Sequence, residues 1–467
     1  MRDLHVVLPT FAPDYSGVGS ALYELGGAVV MHDPSGCLGN FIAYDEPRSY
    51  DNRSRVYTSA LDEVQALLGI DDALIGAACQ AHGIAGGRFV AIVGTPNPMI
   101  LGTDYRAIAR IVGERCGVPA FSIDTTGLDT YEAGASAAFL AYAKAVLAPA
   151  AEERYGDVRA ARARVLAGGA AETTGAAETG GATGAAGAGV PRTVNLLGAT
   201  PLDLQRQENV DVAARILGDA GWEVASCWSM GPASAPERLV EGTMAVCNVV
   251  LAQSGLALAR WMEGAYGIPW VWGCLSGERG VEQTLAELEC VYEQVCRPAA
   301  ETPATSVAPA DSVAAPAASA SPAGLAAPAA LVVADQVLGE SMRRALVADL
   351  GYGRVDVVSL FAVDRAALGA GDAGRVDEVE LARRIRSNEY DLVVGDGLLR
   401  GFADAGTRAR FAEVPHAAVS SRISWGKPIC PYGAGFLEAV RAAEPAGERA
   451  GTSNDPRDVL LDPRLFA

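Results

Sequence analysis

Cys37 occupies the stretch of sequence whose residue types and spacing best suit metal chemistry. Residues 29–39 read VVMHDPSGCLG, so a strand would end at His32 and a Pro-Ser-Gly turn would present Cys37 next to Gly39. Glycines at 36 and 39 let backbone approach a bulky inorganic group, and a helix starting here would lower the thiol pKa and favour the metal-binding thiolate. The alternative is a small buried hydrophobe, the commonest role of a free cysteine. The turn predicts a ligand site at Cys37, with Gly36, Gly39 and His32 around it.

Three further cysteines are secondary ligand candidates. Cys274 and Cys430 each follow a predicted strand in a turn, and Cys79, close to His82, belongs to the same block as Cys37. Simple burial is the alternative for each of them. The nine cysteines include no CxxC pair, which excludes zinc ribbons and ferredoxin-type cluster runs. The sequence also lacks the phosphate loop of ATPases, a complete dinucleotide fingerprint, and the HExxH and GxSxG motifs.

Composition limits the partners and the compartment. The 37 basic and 56 acidic residues give a net charge of −19, which argues against a nucleic acid or an anionic membrane as partner. No apolar run approaches the length of a membrane helix, and residues 1–8 lack the features of a signal peptide. Those residues are instead predicted to form the first strand, and the protein is expected to be cytoplasmic.

The elements that must position Cys37 fall into three blocks. Low-complexity segments at 167–189 (Gly/Ala-rich) and 299–329 (Pro/Ala-rich) and a polar tail at 445–467 separate or follow the blocks 1–166, 190–298 and 330–444. Each block alternates short β-branched runs with longer amphipathic ones, a pattern typical of βαβ units. The expected fold is α/β, with three doubly wound Rossmann-like domains whose parallel sheets surround a central cleft. Ligands should then lie beyond the carboxyl ends of the strands.

Several motifs, in order along the chain, resemble those of the nitrogenase component 1 family. Residues 16–37 are similar to the family segment that leads through a helix and a strand into a His-x-Pro-x-Gly-Cys turn. The loop at 94–104, the run 259–270 in the second block, and residues 388–396 and 414–433 in the third match later parts of the family pattern. The resemblance covers nearly all of the chain outside the low-complexity segments.

Departures from the family pattern limit the number of cluster ligands that the resemblance implies for this chain. Family members with a full ligand set place cysteines near Ser16 and near Pro96, and their cofactor cysteine would fall around Leu251 or Ala252. None of these positions is cysteine here. The chain therefore resembles the one-ligand subunit of the light-independent protochlorophyllide reductase. That likeness implies a 4Fe–4S cluster shared at a subunit interface, with Cys37 as the ligand from this chain.

The resemblance implies a subunit of a two-component iron–sulfur oxidoreductase. Its partners would be a homologous sister subunit, or a second copy of itself, and a nitrogenase reductase-like ATPase that supplies electrons. The first alternative is a metallocluster or tetrapyrrole scaffold or maturation protein without turnover, and the second is a structural subunit that has lost its cluster. The substrate stays open.

Overall fold

The structure is a computed structural model that describes residues 5–50, 55–68, 71–99, 102–168, 190–296, 327–426 and 430–445. The predicted linkers at 167–189 and 299–329 and the predicted tail at 445–467 lie almost entirely outside the described residues. In the described residues the chain is a mixed α/β protein built on three sheets, and all strand pairs but one are parallel. The predicted fold class, α/β with parallel sheets, is confirmed.

The strands group into one sheet in each third of the chain. The first sheet has the order β2-β1-β3-β4, the second β6-β5-β7-β8 and the third β11-β10-β9-β12-β13-β14. The strands are β1 (Ala28–Met31), β2 (Val56–Thr58), β3 (Val90–Val93), β4 (Ala120–Ile123), β5 (Thr193–Leu197), β6 (Glu223–Cys227), β7 (Cys247–Val250), β8 (Trp270–Trp272), β9 (Ala329–Val333), β10 (Arg354–Ser359), β11 (Ala373–Gly374), β12 (Leu392–Gly395), β13 (Arg410–Glu413) and β14 (Glu444–Pro445).

Helices connect the strands of each sheet. They are α1 (Asp14–Leu22), α2 (Gly36–Asn40), α3 (Glu63–Leu68), α4 (Asp71–Ala85), α5 (Pro96–Met99), α6 (Tyr105–Cys116), α7 (Tyr131–Tyr142), α8 (Ala148–Tyr155), α9 (Val158–Leu166), α10 (Pro201–Leu204), α11 (Gln207–Asp219), α12 (Pro236–Glu241), α13 (Leu256–Tyr266), α14 (Arg279–Cys296), α15 (Gln336–Ala348), α16 (Glu378–Arg386), α17 (Ala417–Ser420), α18 (Arg422–Trp425) and α19 (Gly433–Arg441).

The order of the first sheet determines where a ligand can approach it. Strand β1 pairs with β2 on one side and with β3 on the other, so the chain winds in opposite directions from β1. Such a reversal leaves a crevice beyond the carboxyl ends of the two central strands. The segments that follow β1 and β3 therefore border this crevice, and they contain Cys37 and Thr95.

The described chain divides into two compact units. The unit called here the N-terminal unit comprises Ala12–Trp272 and Leu285–Thr302 and contains the first two sheets. The C-terminal unit comprises Met1–Phe11, Gly273–Thr284 and Pro303–Ala467 and contains the third sheet. The boundaries of the three predicted domains and the central cleft stay predictions.

Two strand predictions are wrong. In the described part of the N-terminus, residues 5–8 are not a strand, because the backbone N–H groups of Val6, Val7 and Leu8 donate to the Glu378 carboxylate at 2.8, 3.0 and 2.7 Å. The apolar residues 416–419 likewise predict a strand from the sequence, but this run contains the start of helix α17, and the strand is β13, a few residues earlier. Its pairing with β12 ends because the backbone N–H of His416 donates to the Asp396 carboxylate at 2.9 Å.

A long apolar helical run packs inside the N-terminal unit. Within the described residues, Tyr131–Tyr155 is the one helix long and apolar enough to cross a membrane by length and composition. The side chains of Tyr131, Phe139 and Tyr142 are nevertheless buried in the protein core, and the rings of Phe139 and Tyr142 both contact Trp228 edge-on. These contacts place this face of the run in the core of the N-terminal unit.

Candidate metal centre

The turn that carries Cys37 is held by a buried carboxylate. Asp33 follows β1, and its Oδ2 accepts hydrogen bonds from the backbone N–H groups of Cys37 and Leu38 at 2.7 and 3.3 Å. Its Oδ1 accepts a hydrogen bond from the hydroxyl of Thr58, on β2, at 2.5 Å. The carboxylate thus satisfies the free N–H groups at the start of α2, as a helix-capping group does.

The tight bend of this turn occurs at Ser35. Its φ of +86° lies in the left-handed region that favours glycine. Gly36 and Gly39 are not at this bend, and a Cβ atom on either would meet nothing within 4 Å. Neither glycine is needed for packing inside the described chain. Open space beside the Cys37 backbone is compatible with the predicted approach of a bulky group.

Two hydroxyl groups surround the Cys37 sulfur. Tyr15, in the first turn of α1, and Thr95, just after β3, both lie near it. The Thr95 hydroxyl also lies 2.6 Å from the His32 carbonyl oxygen. Because a hydroxyl has one proton, Thr95 donates it to this carbonyl oxygen. The sulfur is therefore half-buried in a pocket of polar groups.

The Cys37 thiol is harder to ionise than the sequence suggested. Burial raises its pKa, and the nearby Asp33 carboxylate adds to the increase, while the Tyr15 and Thr95 hydroxyls oppose it. The prediction that the start of a helix would lower this pKa is wrong, because burial and the Asp33 carboxylate raise it. A bound metal cation would favour the thiolate again, as it does for coordinating thiols in general.

Three segments that the family pattern associates with ligands meet at this site. Tyr15 and Ser16 lie on α1, Cys37 on the turn after β1, and Thr95 and Pro96 after β3. Gly127 lies against two of these segments. A Cβ atom at this position would clash with the Pro96 ring and would lie 3.5 Å from Tyr15 Cε1. Sequence reasoning missed Tyr15 and Thr95 as neighbours of the sulfur. Their adjacency to Ser16 and Pro96 was the signal that could have identified them.

Family members with a full ligand set have a cysteine near Ser16. In this chain the Ser16 hydroxyl forms a hydrogen bond with a buried acid, Asp45. The Ser16 hydroxyl donates to Asp45 Oδ2 at 2.7 Å, and the Asn40 side-chain amide donates to the same oxygen at 3.1 Å. Burial raises the pKa of Asp45 to about 6, although the Ser16 hydrogen bond opposes the increase. Near neutral pH this part of the site therefore contains a readily protonated carboxyl group and no thiol.

The side chain of His32 contacts other residues than those around the Cys37 sulfur. Its Nδ1 lies 2.8 Å from the Ser59 hydroxyl oxygen. Its ring packs edge-on against the Tyr105 ring, with 6.0 Å between the two ring centroids. Burial lowers the pKa of His32, which keeps the imidazole neutral near pH 7. What His32 gives to the Cys37 site is its backbone carbonyl, which contacts Thr95. Its role in cofactor binding stays a prediction.

The secondary candidates have other surroundings. Cys79, on α4, lies 3.4 Å from the sulfur of Cys116, measured between the two Sγ atoms. Cys274 and Cys430 belong to the C-terminal unit. Cys274 is fully buried and its carbonyl accepts the Thr284 hydroxyl, whereas Cys430 is half-buried just before α19. Their roles as ligands stay predictions, and among the residues that the structure describes no group of three His, Cys, Asp or Glu could hold a metal ion.

The second sheet is closely packed where the family would place its cofactor cysteine. Leu251 and Ala252 are buried directly after β7. A Cβ atom on Gly198 would lie 2.7 Å from the Ala252 carbonyl oxygen, so the two backbones are in contact. This segment offers neither a thiol nor free space next to its backbone.

Comparisons with known proteins agree with this architecture. The model of the nitrogenase component 1 type oxidoreductases matches residues 14–418. The solved structure titled "Nitrogenase Cp1 at pH 6.5" is similar at a TM-score of 0.57 and 11% identity, over 89% of this chain and 87% of that one. The structure titled "Nitrogenase Cp1 at pH 5" is similar at a TM-score of 0.57 and 14% identity, over 94% and 88%. A search of curated proteins found no match. The two solved structures share the fold, and the match over residues 14–418 means that this chain belongs to the nitrogenase component 1 type oxidoreductase family.

Proposed function

We propose that the chain is a cytoplasmic subunit of a two-component iron–sulfur oxidoreductase and that Cys37 is its one ligand to a shared 4Fe–4S cluster. The observation that carries the proposal is the Cys37 thiol beyond the first sheet, on a turn capped by Asp33 and with the hydroxyls of Tyr15 and Thr95 near its sulfur. Membership of an oxidoreductase family supports the redox activity.

The described residues fit one ligand position of such a cluster. The thiol is the ligand type that iron–sulfur clusters use, and hydroxyl donors at the sulfur are groups that tune a cluster through hydrogen bonds. The open space at Gly36 and Gly39 leaves room beside the ligand. When bound, the cluster would supply one-electron transfer.

A partner chain would complete the ligand set. The positions near Ser16 and Pro96 offer a hydroxyl and a proline ring in place of thiols. We therefore infer that a homologous sister subunit, or a second copy of this chain, supplies the remaining ligands. An ATP-hydrolysing reductase would be the electron donor, since this chain has no phosphate-binding loop of its own.

The test is anaerobic purification of the chain with its co-expressed partner, followed by iron analysis and EPR spectroscopy. We expect Cys37→Ala to lower the iron content and the EPR signal of the complex by most of their value. Cys290→Ala is the matched control, because Cys290 is exposed on helix α14. A Cys37→Ala complex that assembles with its full cluster content would contradict the proposal.

The second candidate is a scaffold or maturation protein without turnover. The observation that favours it is the closely packed backbone at Gly198 and Ala252, where the family's cofactor cysteine is missing. A scaffold would transfer its cofactor stoichiometrically to another protein. An oxidoreductase would instead consume reductant continuously when the ATPase partner and ATP are supplied, so a steady-state assay distinguishes the two.

A further inference from the structure

We propose that Cys79 and Cys116 form an oxidisable dithiol that a low-molecular-weight disulfide converts reversibly into an intramolecular disulfide. The observation is the contact between their sulfur atoms, whose Sγ–Sγ distance is 3.4 Å. The two cysteines are 37 residues apart in the sequence, so only the folded chain brings them together.

Two packed helices hold the pair in place. Cys79 lies in the middle of α4, and Cys116 is the last residue of α6, directly before the left-handed cap Gly117 with its φ of +68°. Both sulfurs pack against the same core cluster, which also includes Ile75 of α4 and Val112 of α6. The contact therefore belongs to the fold of the N-terminal unit and does not depend on a mobile loop.

The pair is accessible to a small oxidant. Both Cys79 and Cys116 are partly exposed, whereas Cys227 and Cys247 are buried. A disulfide bond needs the sulfurs about 2 Å apart, so closure requires a movement of roughly 1.4 Å from the 3.4 Å contact. The movement would come from rotation of the two side chains about χ1, the torsion that positions a cysteine sulfur.

The order of the two chemical steps follows from the hydrogen bond between the thiols. The Cys116 thiol donates to the Cys79 sulfur, and a donated hydrogen bond favours the thiolate of the acceptor. Cys79 should therefore attack the reagent first, as a thiolate that breaks the S–S bond of the reagent and releases one reagent thiol.

The second step closes the protein disulfide. Cys116 loses its proton to solvent and attacks the Cys79 sulfur of the mixed disulfide, which releases the second reagent thiol. Together the two protein thiols lose two electrons and two protons, and the reagent disulfide gains both to become two thiols. This reaction does not involve Cys37, the one ligand of the proposed function, so it stands or fails separately from that proposal.

The test uses the full chain and oxidised glutathione as the reagent, followed by alkylation, trypsin digestion without reductant and mass spectrometry. Trypsin cleaves after Arg55, Arg88, Arg115 and Lys144, so residues 56–88 carry Cys79 and residues 116–144 carry Cys116 as their single cysteines. We expect these two peptides to be joined by a disulfide in most of the treated protein, and dithiothreitol to restore both thiols.

Two variants separate this dithiol from general thiol oxidation. Cys116→Ser should trap the glutathione mixed disulfide on Cys79, because no second thiol remains to displace it. Cys290→Ser, at an exposed cysteine, should leave the yield of the joined peptide unchanged. The proposal is overturned if wild-type Cys79 and Cys116 both remain alkylatable, if they retain glutathione, or if Cys79 pairs with another cysteine.

Discussion

The chemistry of Cys37 depends on hydroxyl groups that belong to other elements. Burial and Asp33 raise the pKa of the thiol, and hydrogen bonds from Tyr15 and Thr95 act in the opposite direction. Such donors stabilise negative charge on sulfur, whether that charge is a free thiolate or a metal ligand. Tyr15 is the simpler residue to test, because the Thr95 hydroxyl donates to the His32 carbonyl oxygen.

Tyr15→Phe should make Cys37 less reactive in the metal-free chain. Removing the hydroxyl removes a hydrogen bond to the thiolate, so the pKa of Cys37 should rise further and the thiolate fraction at pH 8 should fall, by about three- to tenfold. The measurement is the rate of alkylation of the tryptic peptide 3–48, in which Cys37 is the single cysteine. Tyr50→Phe, at an exposed tyrosine, is the control. An unchanged rate for Tyr15→Phe would show that this hydroxyl does not bind the sulfur.

Asp45 should make the stability of the N-terminal unit depend on pH. Its folded-state pKa is raised to about 6 by burial, from an ordinary value of 3.8. A raised pKa means that the folded state holds this proton more tightly. The resulting stabilisation is complete below pH 4 and is lost as the pH rises through about 6. A rise of about two pKa units corresponds to about 3 kcal/mol.

Asp45→Asn removes this pH-dependent loss. The free energy of unfolding of the variant, relative to that of wild type, should therefore be higher at pH 7.5 than at pH 4.5. The measurement is the urea midpoint of each protein at the two pH values. Burial also raises the pKa of Asp203 to about 6, but Asp203 is present in both proteins and its effect cancels in the difference. Parallel pH profiles for the two proteins would contradict the assignment.

At the scale of elements, the close approach of α1 and α7 supports the Cys37 site, because α1 carries Tyr15. A Cβ atom on Gly17 would clash with the Tyr131 carbonyl oxygen, and one on Gly134 would clash with the Asp14 carbonyl oxygen. These contacts are with backbone, which cannot rotate away as a side chain can. Glycine at 17 and 134 therefore sets the distance between the two helices.

Gly17→Ala should destabilise the protein by about 1–3 kcal/mol or more, as overpacking does. The matched control is Gly76→Ala on α4, where a Cβ would meet nothing within 4 Å. That change should be neutral or stabilising by up to about 1 kcal/mol, because alanine favours helix more than glycine does. Thermal unfolding followed by circular dichroism compares the two variants. Equal midpoints would show that α1 and α7 can separate without cost.

At the scale of the whole molecule, the composition of residues 167–189 predicts that this segment adds little to the stability of the fold. Deleting residues 174–183 removes ten Gly, Ala, Thr and Glu residues, and loop length changes stability only slowly. We expect the thermal midpoint to move by about 1 °C or less. Circular dichroism melts and the yield of soluble protein measure this. A large drop in either would show that the segment contributes to a core.

Much of the fold followed from the sequence. Runs such as those of β3, β5 and β12 are short, largely apolar and end at or directly before a glycine, so periodicity and turn chemistry locate them without any knowledge of their partners. Residues 5–8 and 416–419 were predicted wrongly because their backbone groups bind the carboxylates of Glu378 and Asp396, which are distant in the sequence. Local patterns contain no information about such partners.

The sequence by itself determined the α/β class, the family and the turn that presents Cys37. Only the tertiary structure decided what surrounds that sulfur, because Tyr15 and Thr95 reach it from segments on either side of the turn. It also decided that the thiol pKa rises, since burial depends on how the chain packs. For the same reason Cys79, which the sequence grouped with Cys37, was found in contact with Cys116.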